Sequence, residues 1–131
     1  MNIFFRLTGT VSKYLTDKVT LQRHGAPLLY AYDACSFYNR LRGIHGVPTL
    51  GPTDALVLRP CSAIHTIGCK EPLDVVFIDE KGMIVKITTV PPNRFSFAWK
   101  SLVVIEMAQG TAARIRLGVG QEFGPMGGIW T

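Results

Sequence analysis

Short apolar runs separated by glycine and proline dominate this chain, and none keeps a helical period for long. That pattern predicts a strand-rich domain. Leu73–Ile78 is apolar on both faces except at Asp74, as in a strand covered from both sides. The run Asp79-Glu80-Lys81-Gly82 follows as a turn, with Gly82 free to take positive φ, and residues 83–90 return as the partner strand. Alternation there puts Met83, Val85 and Ile87 on one face and Lys86 and Thr88 on the other, which the pattern assigns to solvent. Asp54–Leu58 and residues 101–107 read as further strands, Pro91-Pro92-Asn93 breaks the sheet between them, and residues 119–123 read as a last strand.

Helical signals are brief. Residues 34–41 follow Asp33, a capping residue type, and stop at Gly43. Thr111 is placed to cap a second helix of about two turns ended by Gly118, and the glycine-rich tail 124–131 is expected to be loose. The expected fold class is α+β and mostly antiparallel β: one domain built on a compact, barrel-like sheet with one or two short helices.

At 131 residues, 47% of them hydrophobic and 18% charged, the chain has enough apolar material for one core. Its formal charge of +5 comes from fourteen Lys and Arg residues strewn from Arg6 to Arg116. Without a linear cluster or a known motif, that scatter predicts no specific nucleic-acid partner. The first residues carry no basic, apolar leader and no later run could span a bilayer, so the expectation is a cytoplasmic protein with no membrane partner. Three cysteines, Cys35, Cys61 and Cys69, are an odd number and fit reduced thiols.

Chemistry-bearing residues concentrate between Cys61 and Asp79. Cys61, His65 and Cys69 are spaced four apart, but Pro60, Gly68 and three β-branched neighbours resist the helix that zinc ligation at this spacing needs, so the thiols are assigned to packing and no metal or cofactor is expected. His65-Thr66 is a polar pair beside a glycine turn. Asp74 and Glu106 each interrupt an apolar strand, where an unpaired carboxylate is costly. Phe95, Phe97 and Trp99 alternate between Arg94 and Lys100; such a stripe can stack sugar rings or bases, yet alternating aromatics also face cores, and core is the expectation.

The runs Pro60-Cys61-x-x-Ile64-His65-Thr66-x-Gly68, Pro72-x-Asp74-Val75-Val76-Phe77-Ile78-Asp79 and Glu106-Met107-Ala108-x-Gly110-Thr111-Ala112 resemble the bacterial and archaeal family catalogued as domain of unknown function 192. The likeness covers about residues 34–123 and implies a compact, mostly antiparallel β domain with small helices. The family tends to have methionine at the position of Cys69 and has an arginine step like that at Arg42 before its His-Thr segment. The candidate ligand-binding residues are His65, Thr66, Asp74, Arg42 and Glu106, with no catalytic residue assigned. Together they suit a binding module for a small polar ligand such as a carbohydrate. A small hydrolase or thiol enzyme using Cys61 or the Asp74 and Glu106 carboxylates, and a protein-interaction scaffold, are the alternatives; oligomeric state is left open.

Overall fold

The computed structural model describes residues 9–10, 18–23, 26–33 and 48–125. In chain order the elements are β1 (Gly9–Thr10), β2 (Lys18–Arg23), β3 (Ala26–Asp33), β4 (Pro48–Thr49), β5 (Asp54–Leu58), β6 (Ala63–His65), β7 (Leu73–Ile78), β8 (Ile84–Val90), β9 (Phe95–Phe97), β10 (Val103–Ala108), a single helical turn α1 (Thr111–Arg114), and β11 (Gly124–Pro125). The helix expected at 34–41 and Arg42 lie outside the described residues, and Asp33, its expected cap, is the last residue of β3.

Seven strands make one sheet in the order β11-β2-β3-β5-β10-β7-β8. All neighbours are antiparallel except β3 and β5, which run parallel and therefore need a crossover rather than a hairpin. β7 and β10 sit inside the sheet, and all six residues of β7 are buried, as its two-faced apolar pattern requires. Alternation then sorts the core into two layers. Leu56, Leu58, Val75, Phe77 and Val104 face one side, while Ala55, Val57, Val76, Ile78, Ile105 and Met107 face the other. Each fully buried Leu, Ile or Phe contributes about 1.5–3 kcal/mol.

The first layer is closed by a small ribbon, β6 paired antiparallel with β9, which adds Cys61, Ile64, Cys69 and Ala98 to it. Hydrogen bonds at the ribbon's base fix it to the sheet: Cys61 N–H donates to Leu102 O (2.8 Å), Leu102 N–H to Ile78 O (2.8 Å), and the buried Ser101 hydroxyl lies within reach of Cys61 O and Val103 O (3.1 and 3.0 Å). The second layer is closed by Ala112 and Ile115 of the α1 region and by Phe123.

Several expectations change. The hairpin forms with Gly82 at φ 83, but a bulge pairs Phe77 with Lys86 and Ile78 with Ile84, so Val85 no longer shares a face with Ile87. Val85 packs in the first layer and Ile87 in the second. The Lys86 face is half-buried under the ribbon, not fully open to solvent: Lys86 Nζ donates to Phe97 O (2.9 Å) and lies 3.3 Å from Ser96 Oγ.

The second helix is one turn, not two. Arg116 takes φ 59, Leu117 N–H bonds Ala112 O (2.9 Å) and Arg116 N–H bonds Ala113 O (3.1 Å), a left-handed termination two residues before Gly118. Gly110, not Thr111, is the N-cap, with φ 90 and no side-chain cap of its own.

Residues 119–123 do not form a strand. Gly120 at φ 89 turns the chain, and only Met83 and Glu122 bridge before Gly124–Pro125 pairs with β2. The sheet is compact but not closed into a barrel; the loop that leads into β11 bonds the start of β8, as in Ile84 N–H to Gln121 O (2.8 Å). Among the described residues no helix is long and apolar enough to cross a membrane.

Candidate functional site

Asp74 enters β7 one residue after its start and, by alternation, faces the second layer with Val76 and Ile78. Its carboxylate is spoken for. Oδ2 accepts the N–H groups of Gly110 and Ala112, both at 3.0 Å, and Oδ1 accepts the Thr89 hydroxyl at 2.8 Å. Gly110 has no side chain to cap α1, and a carboxylate from a strand 36 residues earlier does so instead. Asp74 also borders an open hollow with Thr88, Gln109 and Ala113, but the atoms that could receive a ligand already hold the fold together.

Thr66 is fully buried and its groups are engaged. Oγ1 donates to Pro91 O (2.5 Å) and accepts Arg94 N–H (2.9 Å), the Thr66 N–H donates to Arg94 O (2.9 Å), and its carbonyl accepts Asn93 N–H (2.9 Å) and Cys69 N–H (3.0 Å). It staples the 91–94 turn, where Asn93 sits at φ 60, to the turn after β6.

His65 ends β6 on the ribbon's outer side, opposite Ile64, which points into the first layer. Nδ1 accepts Ile67 N–H at 3.2 Å, and the ring, itself buried, lies 6.1 Å from that of Phe95 at 58°. The structure does not bring His65 and Asp74 together, because the ribbon covers the first layer and Asp74 faces the second. Glu106 is fully buried on β10 opposite Leu56 and Val75, on the first-layer face. The sheet therefore separates the two carboxylates proposed as an acid and base pair. Cys61 and Cys69 are buried among apolar side chains, with Cys61 Sγ donating to Ala63 O (3.0 Å). Among the described residues no group of three His, Cys, Asp or Glu side chains is placed to hold a metal.

What the fold does assemble is on the ribbon. The core expectation for the aromatic stripe is overturned: Phe95, Phe97 and Trp99 are 66%, 64% and 79% exposed. The reason is register. Ile64 pairs with Ser96 on the inner face and Ala98 fills the core, so alternation turns Phe95 and Phe97 outward beside His65 and Ala63. Trp99 follows in a turn closed by Ser101 N–H to Ala98 O (2.9 Å). Cations accompany the rings: Lys100 Nζ lies 5.3 Å from the Trp99 ring, and Lys86 Nζ lies 5.8 Å from Phe97 and 5.4 Å from Phe77. Ile67 and Leu102 add exposed apolar surface at either end.

The stripe is visible in the sequence, but the contact of Lys86 with the ribbon and the bonds made by Thr89 and Ser101 are not. Two basic residues flanking so short a run were the signal against a core strand. Lys86 has no linear signal, since it is ten residues from Ser96 and meets it through the bulge.

The family model DUF192, described as an uncharacterised ACR, matches residues 19–124. A crystal structure of a protein of unknown function from Novosphingobium aromaticivorans DSM 12444 superposes with a TM-score of 0.60 at 17% identity, covering 82% of this chain and 83% of that one. A second, from Sinorhizobium meliloti 1021 and proposed as a transcription regulator, gives a TM-score of 0.63 at 18% identity, covering 84% and 93%. No curated protein matches the chain.

Proposed function

The chain belongs to the DUF192 family, and from that starting point we propose that it is a binding module for a polar ligand with flat ring faces, sugar or base, whose contact surface is the β6–β9 ribbon. The observation that carries this reading is the outward display of Phe95, Phe97 and Trp99 on a ribbon fastened to the sheet. Large apolar side chains exposed together, not singly, mark interaction surfaces. Rings held on a strand also lose little conformational freedom when a ligand stacks on them.

The reading centres the contact surface on Phe95, Phe97 and Trp99, apart from Thr66, Asp74 and Glu106 among the residues expected from sequence. Thr66 and Asp74 support the surface and α1 instead of touching ligand, while His65 borders the rings and remains a contact candidate. The part in transcription suggested for the Sinorhizobium protein does not carry over at 18% identity, which speaks for the fold alone.

Trp99 supplies the test. In a Trp130→Phe background, titration with soluble oligosaccharides and nucleosides should quench Trp99 fluorescence saturably, and Phe97→Ala should weaken the effect. If no ring-bearing ligand alters Trp99 emission, the ribbon is not the contact surface.

A further inference from the structure

Building on the ribbon as the contact surface, we infer that its ligand is a single-stranded polynucleotide, with bases stacked on Phe95, Phe97 and Trp99 and phosphates set against the surrounding cations. Charge carries the first half of the argument. Residues 59–69 and 91–102 contain both ribbon strands and their flanks, with Arg59, Arg94 and Lys100 but no Asp or Glu. Lys86 reaches the same ribbon from β8. Setting these four aside leaves ten basic residues against nine acidic ones, so four of the five net positive charges belong to the ribbon, its flanks and Lys86. Of these cations, Lys86 and Lys100 lie 5.8 and 5.3 Å from the rings of Phe97 and Trp99, and Arg94 directly precedes Phe95.

The kind of hydrogen bonding on offer narrows the anion. Lys and Arg side chains donate and cannot accept. Phosphate oxygens only accept, whereas the hydroxyls of a neutral sugar need acceptors as well as donors.

Ring spacing supplies the second half. Phe95 and Phe97 are two residues apart on one face, about 6.8 Å at roughly 3.4 Å per residue. Bases stacked in a helix are about 3.4 Å apart along a strand, so side chains rooted at about twice that interval leave room for bases drawn out of their own stack. A duplex keeps its base faces closed; a single strand offers them, and aromatic platforms beside cations accept them with little regard for sequence.

The test is fluorescence anisotropy of the full chain with labelled 12-nucleotide DNA and RNA of mixed sequence, beside the same DNA as a duplex. Three contacted phosphates predict a loss of affinity of about 20-fold between 50 and 200 mM salt. Trp99→Ala, which keeps the charge and alters an exposed side chain, should weaken single-strand binding by at least about 5-fold. The duplex should bind more weakly than either single strand.

Binding that is indifferent to both Trp99→Ala and Phe97→Ala overturns the inference, since charge alone then accounts for it. Quenching of Trp99 by a neutral oligosaccharide, or by a sulfated polysaccharide, while oligonucleotides leave it unchanged overturns the polynucleotide but keeps the ribbon. Silence of Trp99 toward every ligand removes both. Self-association in sedimentation that Phe97→Ala abolishes, without oligonucleotide binding, overturns it in favour of a second copy of the chain.

Discussion

Replacing Asp74 with alanine removes the acceptor for two backbone donors and one hydroxyl at once. Ala112 N–H is buried and has no other acceptor in reach of its bond, so its loss costs about 1–3 kcal/mol. Gly110 is exposed and recovers part of its bond from water, and Thr89 likewise. The sum is about 2–4 kcal/mol, a large share of the roughly 5–15 kcal/mol that holds a domain of this size. Asp74→Asn preserves shape but withdraws the charge and one oxygen, and should cost about half as much. Urea denaturation measures it: at an m-value of about 1–3 kcal/mol/M, a loss of 3 kcal/mol lowers the midpoint by roughly 1–3 M. Hydrogen exchange at Ala112 should quicken in both variants before global unfolding does. A cost below about 0.5 kcal/mol for alanine, with Ala112 exchange unchanged, would refute the assignment of this carboxylate to α1 and restore it as a free group beside the hollow.

Three other outcomes are expected. Thr66→Val, which keeps volume and removes a buried hydroxyl bonded at both ends, should cost about 1–3 kcal/mol and loosen the ribbon, read as faster exchange at the Arg94 amide. Arg116→Gly places glycine where φ is 59 and should raise stability by about 0.5–1 kcal/mol in thermal unfolding; a loss instead would mean that the arginine side chain contributes more than the strain costs. In a Cys35→Ser background, Cys61 and Cys69 should resist a thiol reagent in native protein and react fully in urea, and rapid native labelling would contradict their burial.

Much of the architecture was legible along the chain because it rests on neighbours. Asp54–Leu58 and Leu73–Ile78 have the predicted bounds, and Gly82 has the predicted φ, since two-residue alternation and a turn are properties of a few consecutive residues. The local patterns that failed were those a distant partner overrides. Thr111 has the chemistry of a cap, but the N-cap lies one residue earlier, at Gly110, and Asp74 bonds the N–H groups of Gly110 and Ala112. Residues 119–123 have the composition of a strand, but Gly120 turns them across the ends of β8 and β2.

The candidate site was the least legible part, because a side chain's face has meaning only once something covers the other. Sequence alone determined that Asp74 and Glu106 need partners, that His65 and Thr66 flank a turn, and that Phe95 and Phe97 share a side. Only the tertiary structure decided which side was covered. Ile64 is buried in the first layer and the half-buried Ala98 packs against it, so alternation in that register leaves the aromatics in water. The same packing brought Lys86 beneath Phe97 and set Asp74 on the far face from His65, relations that no spacing along the chain encodes.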